Sequence, residues 1–166
     1  IAMFDSMLPW SAHIAGSAIA GGASPKSQSQ RSLGGAAFYN VYKTADDKYV
    51  VLGAREVKFA RNLLTAMDRL DLLPFAEKEA GEGQAPLIAF LRETFALKSR
   101  DEWVQWFADR DVAFSPVLDF REALDQKFLL ERGLLIEVDG AHQLAPSFQF
   151  ASEEDWQFSE APELQK

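Results

Sequence analysis

The chain has 166 residues, and 48% of them are hydrophobic, which is enough for one small globular unit with its own core. Its formal net charge of -8 opposes binding to nucleic acid and to anionic membranes, so we expect neither as a partner. The absence of cysteine excludes disulfides and thiolate nucleophiles, and with only 2 histidines we expect no metal site.

An apolar segment, residues 1–20, opens the chain. It has no basic start, contains Asp5 and His13, and is interrupted by Pro9 and Gly16, so it fits neither a signal peptide nor a membrane span. We predict a helix packed on protein. Because no targeting signal is recognised, the predicted location is cytoplasmic.

Residues 21–35, GGASPKSQSQRSLGG, differ in composition from both of their neighbours. Glycine, serine, glutamine and charged residues bury little apolar surface, so this segment is predicted to be a flexible linker. At the other end of the chain, residues 152–166 are acidic and weakly patterned, and they are predicted to lie extended on the surface as a tail.

Between these segments, residues 36–151 show strand and helix patterns that predict a small α+β domain. Ser99 with Glu102, and Asp119 with Glu122, are capping-box patterns, and each predicts the start of a helix. The predicted elements, in chain order, are a hairpin of strands 37–44 and 49–52, helices 58–70 and 85–97, a helix after Ser99, a strand at 112–117, a short helix after Asp119, and a second hairpin of 134–138 and 142–144.

The stretch that is richest in possible chemistry covers residues 34–59, GGAAFYNVYKTADDKYVVLGAREVKF. Its second strand brings Glu56 to the start of a helix, a junction that holds a side chain rigidly and leaves it accessible. From the residues alone we prefer the simpler interpretation, a first-turn glutamate that faces the helix dipole. Likewise, Tyr39 is interpreted as a core aromatic on a strand, and the leading glycine pair as a turn that also lets a ligand approach closely.

The same stretch resembles the signature of the family III CoA-transferases, the CaiB/BaiF family, and more narrowly its alpha-methylacyl-CoA racemase-like branch. The family pattern reads roughly GG-x-x-FY-x-x-Y-x-T-A-D-x-x-Y-x-x-x-G-A-x-E-P-x-F. The positions that match it are Gly34, Gly35, Phe38, Tyr39, Tyr42, Thr44, Ala45, Asp46, Tyr49, Gly53, Ala54, Glu56 and Phe59. Weaker similarity extends from Met3 to about Leu164, so the resemblance covers nearly the whole chain.

The resemblance implies the α+β small domain of the CaiB/BaiF CoA-transferase fold, with short hairpins and several helices. In that family a Rossmann-like large domain carries most of the coenzyme A site and a catalytic aspartate in a motif resembling G-H-D-x-x-Y. Because this chain has no such motif, we expect it to be an internal fragment of a longer enzyme. The resemblance also implies an interlocked homodimer, an acyl-CoA thioester as substrate, and no cofactor beyond the coenzyme A of that substrate.

The motif positions imply roles for single residues. Glu56 is expected to hydrogen-bond the catalytic aspartate of the large domain, and Tyr39 to lie against the acyl end of the thioester. Gly34 and Gly35 are expected to admit the pantetheine or acyl group. Arg55 stands where close racemases have an apolar residue: facing the pocket, it would favour an acyl group with a second carboxylate, and facing solvent it would not affect substrate choice.

Two enzyme activities stay open at this point. A racemase exchanges the alpha proton with acid and base groups, whereas a transferase uses the large-domain aspartate as a nucleophile. The Gly-Ala-x-Glu form ending at Glu56 favours the racemase branch. In either case the active site lies between the large and small domains, so the fragment alone is expected to be inactive. A third alternative, from another class, is a non-catalytic dimerisation or assembly module.

Overall fold

The structure is a computed structural model that describes residues 2–53, 56–138 and 140–145. The chain divides into two compact units at the boundary between Val117 and Leu118, which falls inside the range 36–151 predicted as one domain. The first unit holds α1 (Met3–Met7), α2 (Ala12–Ile19), α3 (Val57–Ala66), α4 (Leu73–Ala76), α5 (Ala85–Phe95), α6 (Arg100–Phe107), β1 (Asn40–Lys43), β2 (Tyr49–Leu52) and β3 (Phe114–Val117). The second unit holds α7 (Phe120–Leu124), α8 (Lys127–Glu131), β4 (Leu135–Val138) and β5 (Ala141–Leu144). Short 3₁₀ helices lie at Leu8–Ser11, Arg31–Leu33, Leu70–Leu72 and Glu82–Gln84.

The predicted opening helix is present as α1, a 3₁₀ turn and α2 in direct succession. No side chain in α1 or α2 is buried, and Met3, Phe4 and Trp10 are 84%, 74% and 78% exposed. This apolar segment was predicted to pack on protein. Among the described residues, no surface covers its large apolar side chains.

The predicted flexible linker ends in a closed loop. Backbone N–H groups donate from Gln28 to the carbonyl oxygen of Leu33 at 2.8 Å and from Gly35 to that of Gln30 at 2.9 Å. The N–H of Gly81 donates to the carbonyl oxygen of Gly35 at 2.8 Å, which attaches this loop to the segment before α5. The second half of the linker therefore has a defined backbone conformation, unlike the prediction for the whole segment.

Strands β1, β2 and β3 form an antiparallel sheet in that order, with Tyr42, Val50 and Pro116 opposite one another. Side chains alternate across the sheet, so Tyr42, Val50 and Leu52 all point to the buried side. Pro116 lies in an edge strand, where a missing N–H is tolerated. The first predicted hairpin is thus confirmed, and a third strand is added to it.

One hydrophobic cluster joins this sheet to α3, α5 and α6. The ring of Phe95 lies at its centre, with its centroid 5.1 Å from that of Tyr42 and 5.0 Å from that of Trp103. Burying each such side chain contributes about 1.5 to 3 kcal/mol. The largest fully buried side chains are Tyr42, Phe95, Leu52, Leu63, Leu64, Leu87, Leu91 and Val50.

Two element boundaries differ from the prediction by three residues or more. Strand β1 begins at Asn40 rather than at residue 37, because the N–H of Ala37 donates to the side-chain oxygen of Gln84 at 2.9 Å and not to a strand. Helix α3 ends at Ala66 rather than at residue 70, because Asp68 adopts a left-handed conformation with a φ of 54°.

Both predicted capping boxes are confirmed. The side chain of Ser99 accepts from the N–H of Glu102 while Glu102 accepts from the N–H of Ser99, and Asp119 and Glu122 repeat the arrangement in the second unit. The second predicted hairpin is present as β4 and β5. The predicted tail, residues 152–166, lies outside the described residues. No helix in the described part of the chain is long and apolar enough to cross a membrane.

Candidate active site

Tyr39 and Glu56 line the same cavity, which has a volume of about 630 Å³. Tyr39 directly precedes β1 and is 49% exposed. Glu56 is an exposed residue immediately before α3, with an extended backbone at φ -75° and ψ 133°. The start of the sheet and the start of α3 therefore place both side chains on the same cavity. Further residues on the wall are Gln30, Arg31, Phe38, Ala60, Lys78 and Gln84.

Other members of the sequence motif belong to the core. Phe38, Tyr42 and Thr44 are 7%, 1% and 3% exposed. Phe38 lies in the turn that leads into β1, and Tyr39, the next residue, is exposed. Among the residues that the structure describes, the exposed motif members on the 630 Å³ cavity are Tyr39 and Glu56.

Asp46, the aspartate of the motif, organises the turn between β1 and β2. Its Oδ1 accepts hydrogen bonds from the hydroxyl of Thr44 at 2.6 Å and from the N–H of Arg100 at 3.1 Å. This carboxylate therefore joins the turn to the first residue of α6. The hydrogen bond from Thr44 lowers the pKa of Asp46 below its ordinary value, because it stabilises the charged form.

The two glycines that lead the motif have different surroundings. Gly34 has a φ of 84° and lies with Tyr39 and Gly53 on the wall of a second cavity of about 430 Å³, which shares Tyr39 with the first. Gly35 is buried, and a Cβ there would lie 2.8 Å from the carbonyl oxygen of Gln30. The structure thus brings Gly34 together with Tyr39, whereas Gly35 is needed for the closure of its own loop.

Arg55, the predicted specificity residue, lies outside the described residues. The charged residues that the structure does place on the 630 Å³ cavity are Arg31, Lys78, Glu56, Glu77 and Glu79. The ammonium group of Lys78 lies 4.4 Å from the centroid of the Phe75 ring. This cavity therefore offers charged groups of both signs to a ligand.

Sequence patterns did not single out Gln84, which is 8% exposed and lies on the cavity wall. Its side chain hydrogen-bonds the backbone of Ala37 at 2.9 Å and of Lys78 at 2.7 Å. No local signal predicts these contacts, because the first of them spans 47 residues. Within residues 2–53, 56–138 and 140–145, no group of three His, Asp or Glu side chains is arranged to hold a metal ion.

This chain is similar to known proteins both in structure and in sequence. A CAIB/BAIF family protein from Brucella suis superposes with a TM-score of 0.67 at 22% identity, over 91% of this chain and 40% of that one, which shows a shared fold. An alpha-methylacyl-CoA racemase from Mus musculus is 34% identical over 113 residues, which are 68% of this chain and 29% of that protein. A CaiB/baiF CoA-transferase family protein from Caenorhabditis elegans is 37% identical over 86 residues, 51% of this chain and 23% of that protein.

The chain spans less than a third of the length of the curated relatives it matches. The similarity nevertheless extends along the chain itself, because the family model for CoA-transferase family III matches residues 1–165. This chain therefore belongs to CoA-transferase family III.

Proposed function

We propose that the chain is the small-domain part of a longer acyl-CoA racemase or CoA-transferase, called the full-length enzyme below, and that it supplies one side of the active site. The division of the motif carries this proposal: Phe38 and Tyr42 are buried, whereas Tyr39 and Glu56 are exposed on one cavity. Core packing accounts for the first pair but not for the second. A volume of about 630 Å³ also lies in the usual range for a ligand site.

An acyl-CoA thioester is the proposed substrate. Two relatives, 34% and 32% identical to this chain, are alpha-methylacyl-CoA racemases from Mus musculus and Homo sapiens, which supports a thioester as the ligand of the cavity. Tyr39 presents a ring and a hydroxyl, a combination that suits contact with the acyl end. Gly34 stands beside Tyr39 without a side chain, so a ligand can approach the backbone closely there.

Glu56 is proposed to hydrogen-bond a catalytic aspartate that the large domain supplies. Two carboxylates at hydrogen-bond distance share a proton, because ionising both would place like charges side by side. The ionised partner is then available to remove a proton alpha to the thioester carbonyl, while the shared proton keeps the pair oriented. In a transferase the same pairing would orient the aspartate as a nucleophile.

One experiment separates the two enzyme activities. The full-length enzyme is incubated in deuterated water with a panel of acyl-CoA thioesters, with and without free carboxylic acids. Incorporation of deuterium at the alpha carbon without an acceptor acid supports the racemase, and formation of a new thioester that depends on the acceptor supports the transferase. Absence of both reactions would contradict the proposed enzyme function.

A non-catalytic role in assembly is the second candidate, and the exposure of Met3, Phe4 and Trp10 favours it. Such apolar side chains on one short helical segment are typical of an interface. The interlocked homodimer is compatible with either candidate. If the full-length protein has neither reaction, but Phe4→Ser with Trp10→Ser converts a dimer to a monomer in sedimentation, the assembly function is favoured.

Coenzyme A enters the proposed reaction as part of the substrate, so the chemistry calls for no resident cofactor. A cytoplasmic location stays a prediction of the sequence.

A further inference from the structure

Gln84 joins two segments of the cavity wall through one side chain. Its Oε1 accepts a hydrogen bond from the N–H of Ala37 at 2.9 Å, and its Nε2 donates to the carbonyl oxygens of Lys78 at 2.7 Å and Ala76 at 3.5 Å. The side chain is 8% exposed, so water competes little for these groups. A buried amide that satisfies three backbone groups at once holds them strongly in place.

The partners of Gln84 belong to two separate chain segments that border the cavity. Ala37 is two residues before Tyr39, whereas Ala76 ends α4 and Lys78 follows it in the segment that leads to α5; Ala76 and Lys78 line the cavity. A second bond, from the N–H of Gly81 to the carbonyl oxygen of Gly35, runs between the same two segments through backbone atoms alone. The side chain of Gln84 therefore links these two segments in addition to that backbone bond.

A primary amide has the required combination of groups. Ala37 presents an N–H and needs an acceptor, while Lys78 and Ala76 present carbonyl oxygens and need a donor. Glutamate keeps the acceptor and loses both donors, which would place a carboxylate against two carbonyl oxygens. Methionine has a similar length and lacks all three hydrogen bonds.

We infer that Gln84 is a positioning residue of the site: by tying the Tyr39 segment to the segment at 76–78, it sets how the acyl end of the thioester is held. This inference rests on the proposed function of the cavity. Misplacing a reacting group by about 1 Å can cost about a hundredfold in rate, so a modest shift of one wall has a measurable kinetic effect.

The test uses Gln84→Met, Gln84→Glu and the control Gln105→Met in the full-length enzyme, because Gln105 is an exposed glutamine on α6. Two properties are measured where every variant is fully folded: kcat and KM for a thioester substrate, and backbone hydrogen exchange in peptides covering 36–40 and 76–80. A peptide covering β2 serves as the internal reference.

For Gln84→Met we expect faster exchange in both wall peptides at once, unchanged exchange in β2, and a kcat about tenfold or more below the parent with KM changed less than about threefold. Gln84→Glu keeps the bond to Ala37 but repels the carbonyl oxygens of Lys78 and Ala76, so we expect faster exchange mainly at 76–80 and a loss of kcat of at least similar size. If Gln84→Met is unstable, Gln84→Glu alone decides.

An unchanged kcat in a variant whose walls exchange faster would overturn the positioning role and leave the proposed function intact. Faster exchange at one wall segment only in Gln84→Met, or across the whole chain, would overturn the tie between the walls. Absence of thioester turnover in the parent enzyme is a different result, because it contradicts the proposed function and with it the kinetic role of Gln84.

Discussion

The hydroxyl of Tyr42 donates a 2.6 Å hydrogen bond to the carbonyl oxygen of Ala37, five residues earlier in the chain. Tyr42 is 1% exposed and stacks on Phe95, so this bond is made inside the core. It holds the backbone two residues before Tyr39, and the buried part of the motif thereby supports the exposed part. Burial raises the pKa of Tyr42 above its ordinary value, so the hydroxyl stays a donor at neutral pH.

Tyr42→Phe is expected to lower the free energy of unfolding by about 1 to 3 kcal/mol, because the carbonyl oxygen of Ala37 loses a partner in a buried environment. Urea unfolding of the parent and the variant measures the difference. Tyr49→Phe is the matched control, since that tyrosine is 44% exposed. Equal losses in the two variants would contradict a special role for the buried hydroxyl.

Asp46→Asn is expected to make the free energy of unfolding fall less steeply as the pH is lowered into the acid range. The pKa of Asp46 is lowered in the folded state, first by the Thr44 hydroxyl, so its contribution is present above the unfolded pKa of about 3.9 and is lost as pH falls through the lower folded value. Asparagine can still accept from Thr44 and from the N–H of Arg100 but does not titrate.

Unfolding midpoints in urea, followed from neutral pH to below about pH 4, measure this pH dependence. We expect a shallower loss of stability for Asp46→Asn than for the parent. Asp109→Asn is the control, because Asp109 is an exposed carboxylate just after α6. A pH profile of Asp46→Asn that follows the parent throughout would show that Asp46 contributes no such linkage.

Glu56→Gln in the full-length enzyme is expected to lower turnover far more than it weakens thioester binding, since its proposed role is to share a proton with the catalytic aspartate. A group in acid or base catalysis contributes about 10² to 10⁴-fold in rate, and a supporting carboxylate should lie near the lower end. Glu77→Gln is the matched control, because Glu77 is another carboxylate on the same cavity. Near-normal turnover in Glu56→Gln would remove it from the mechanism.

The 166-residue chain alone is expected to be catalytically inactive, because the proposed aspartate and most of the coenzyme A site would belong to the large domain. Acyl-CoA turnover by the rigorously purified chain, compared with a heat-treated sample, tests this directly. Turnover above that background would mean that the chain carries a complete site.

Arg55 is expected to favour acyl groups with a second carboxylate through a charge-assisted pair. Such a pair contributes about 1.5 to 3 kcal/mol when partly buried, which corresponds to about tenfold discrimination or more. The ratio of kcat/KM for succinyl-CoA to that for a length-matched monoacyl-CoA is compared between the full-length parent and Arg55→Leu, with Arg61→Leu on the exposed side of α3 as the control. An unchanged ratio in Arg55→Leu would exclude this contribution.

Local interactions are the part of this fold that sequence patterns predicted well. The capping boxes of Ser99 with Glu102 and of Asp119 with Glu122 each involve residues three positions apart, so their side-chain chemistry is visible directly in the sequence. The end of α3 was predicted less well. Asp68 in a left-handed conformation is less common than glycine, and the pattern carried no signal for it.

The sequence by itself determined the family motif, the short hairpins and the order of the longer helices α3, α5 and α6, because these depend on spacing and on side-chain type; it did not indicate the short helices α4 and α8. Only the tertiary structure decided which motif residues are buried and which face the cavity, since that depends on how the sheet packs on α3, α5 and α6. The same holds for Gln84, whose bond to Ala37 spans 47 residues. A buried polar side chain needs hydrogen-bond partners, and here those partners are backbone groups of segments that come together only when the chain folds.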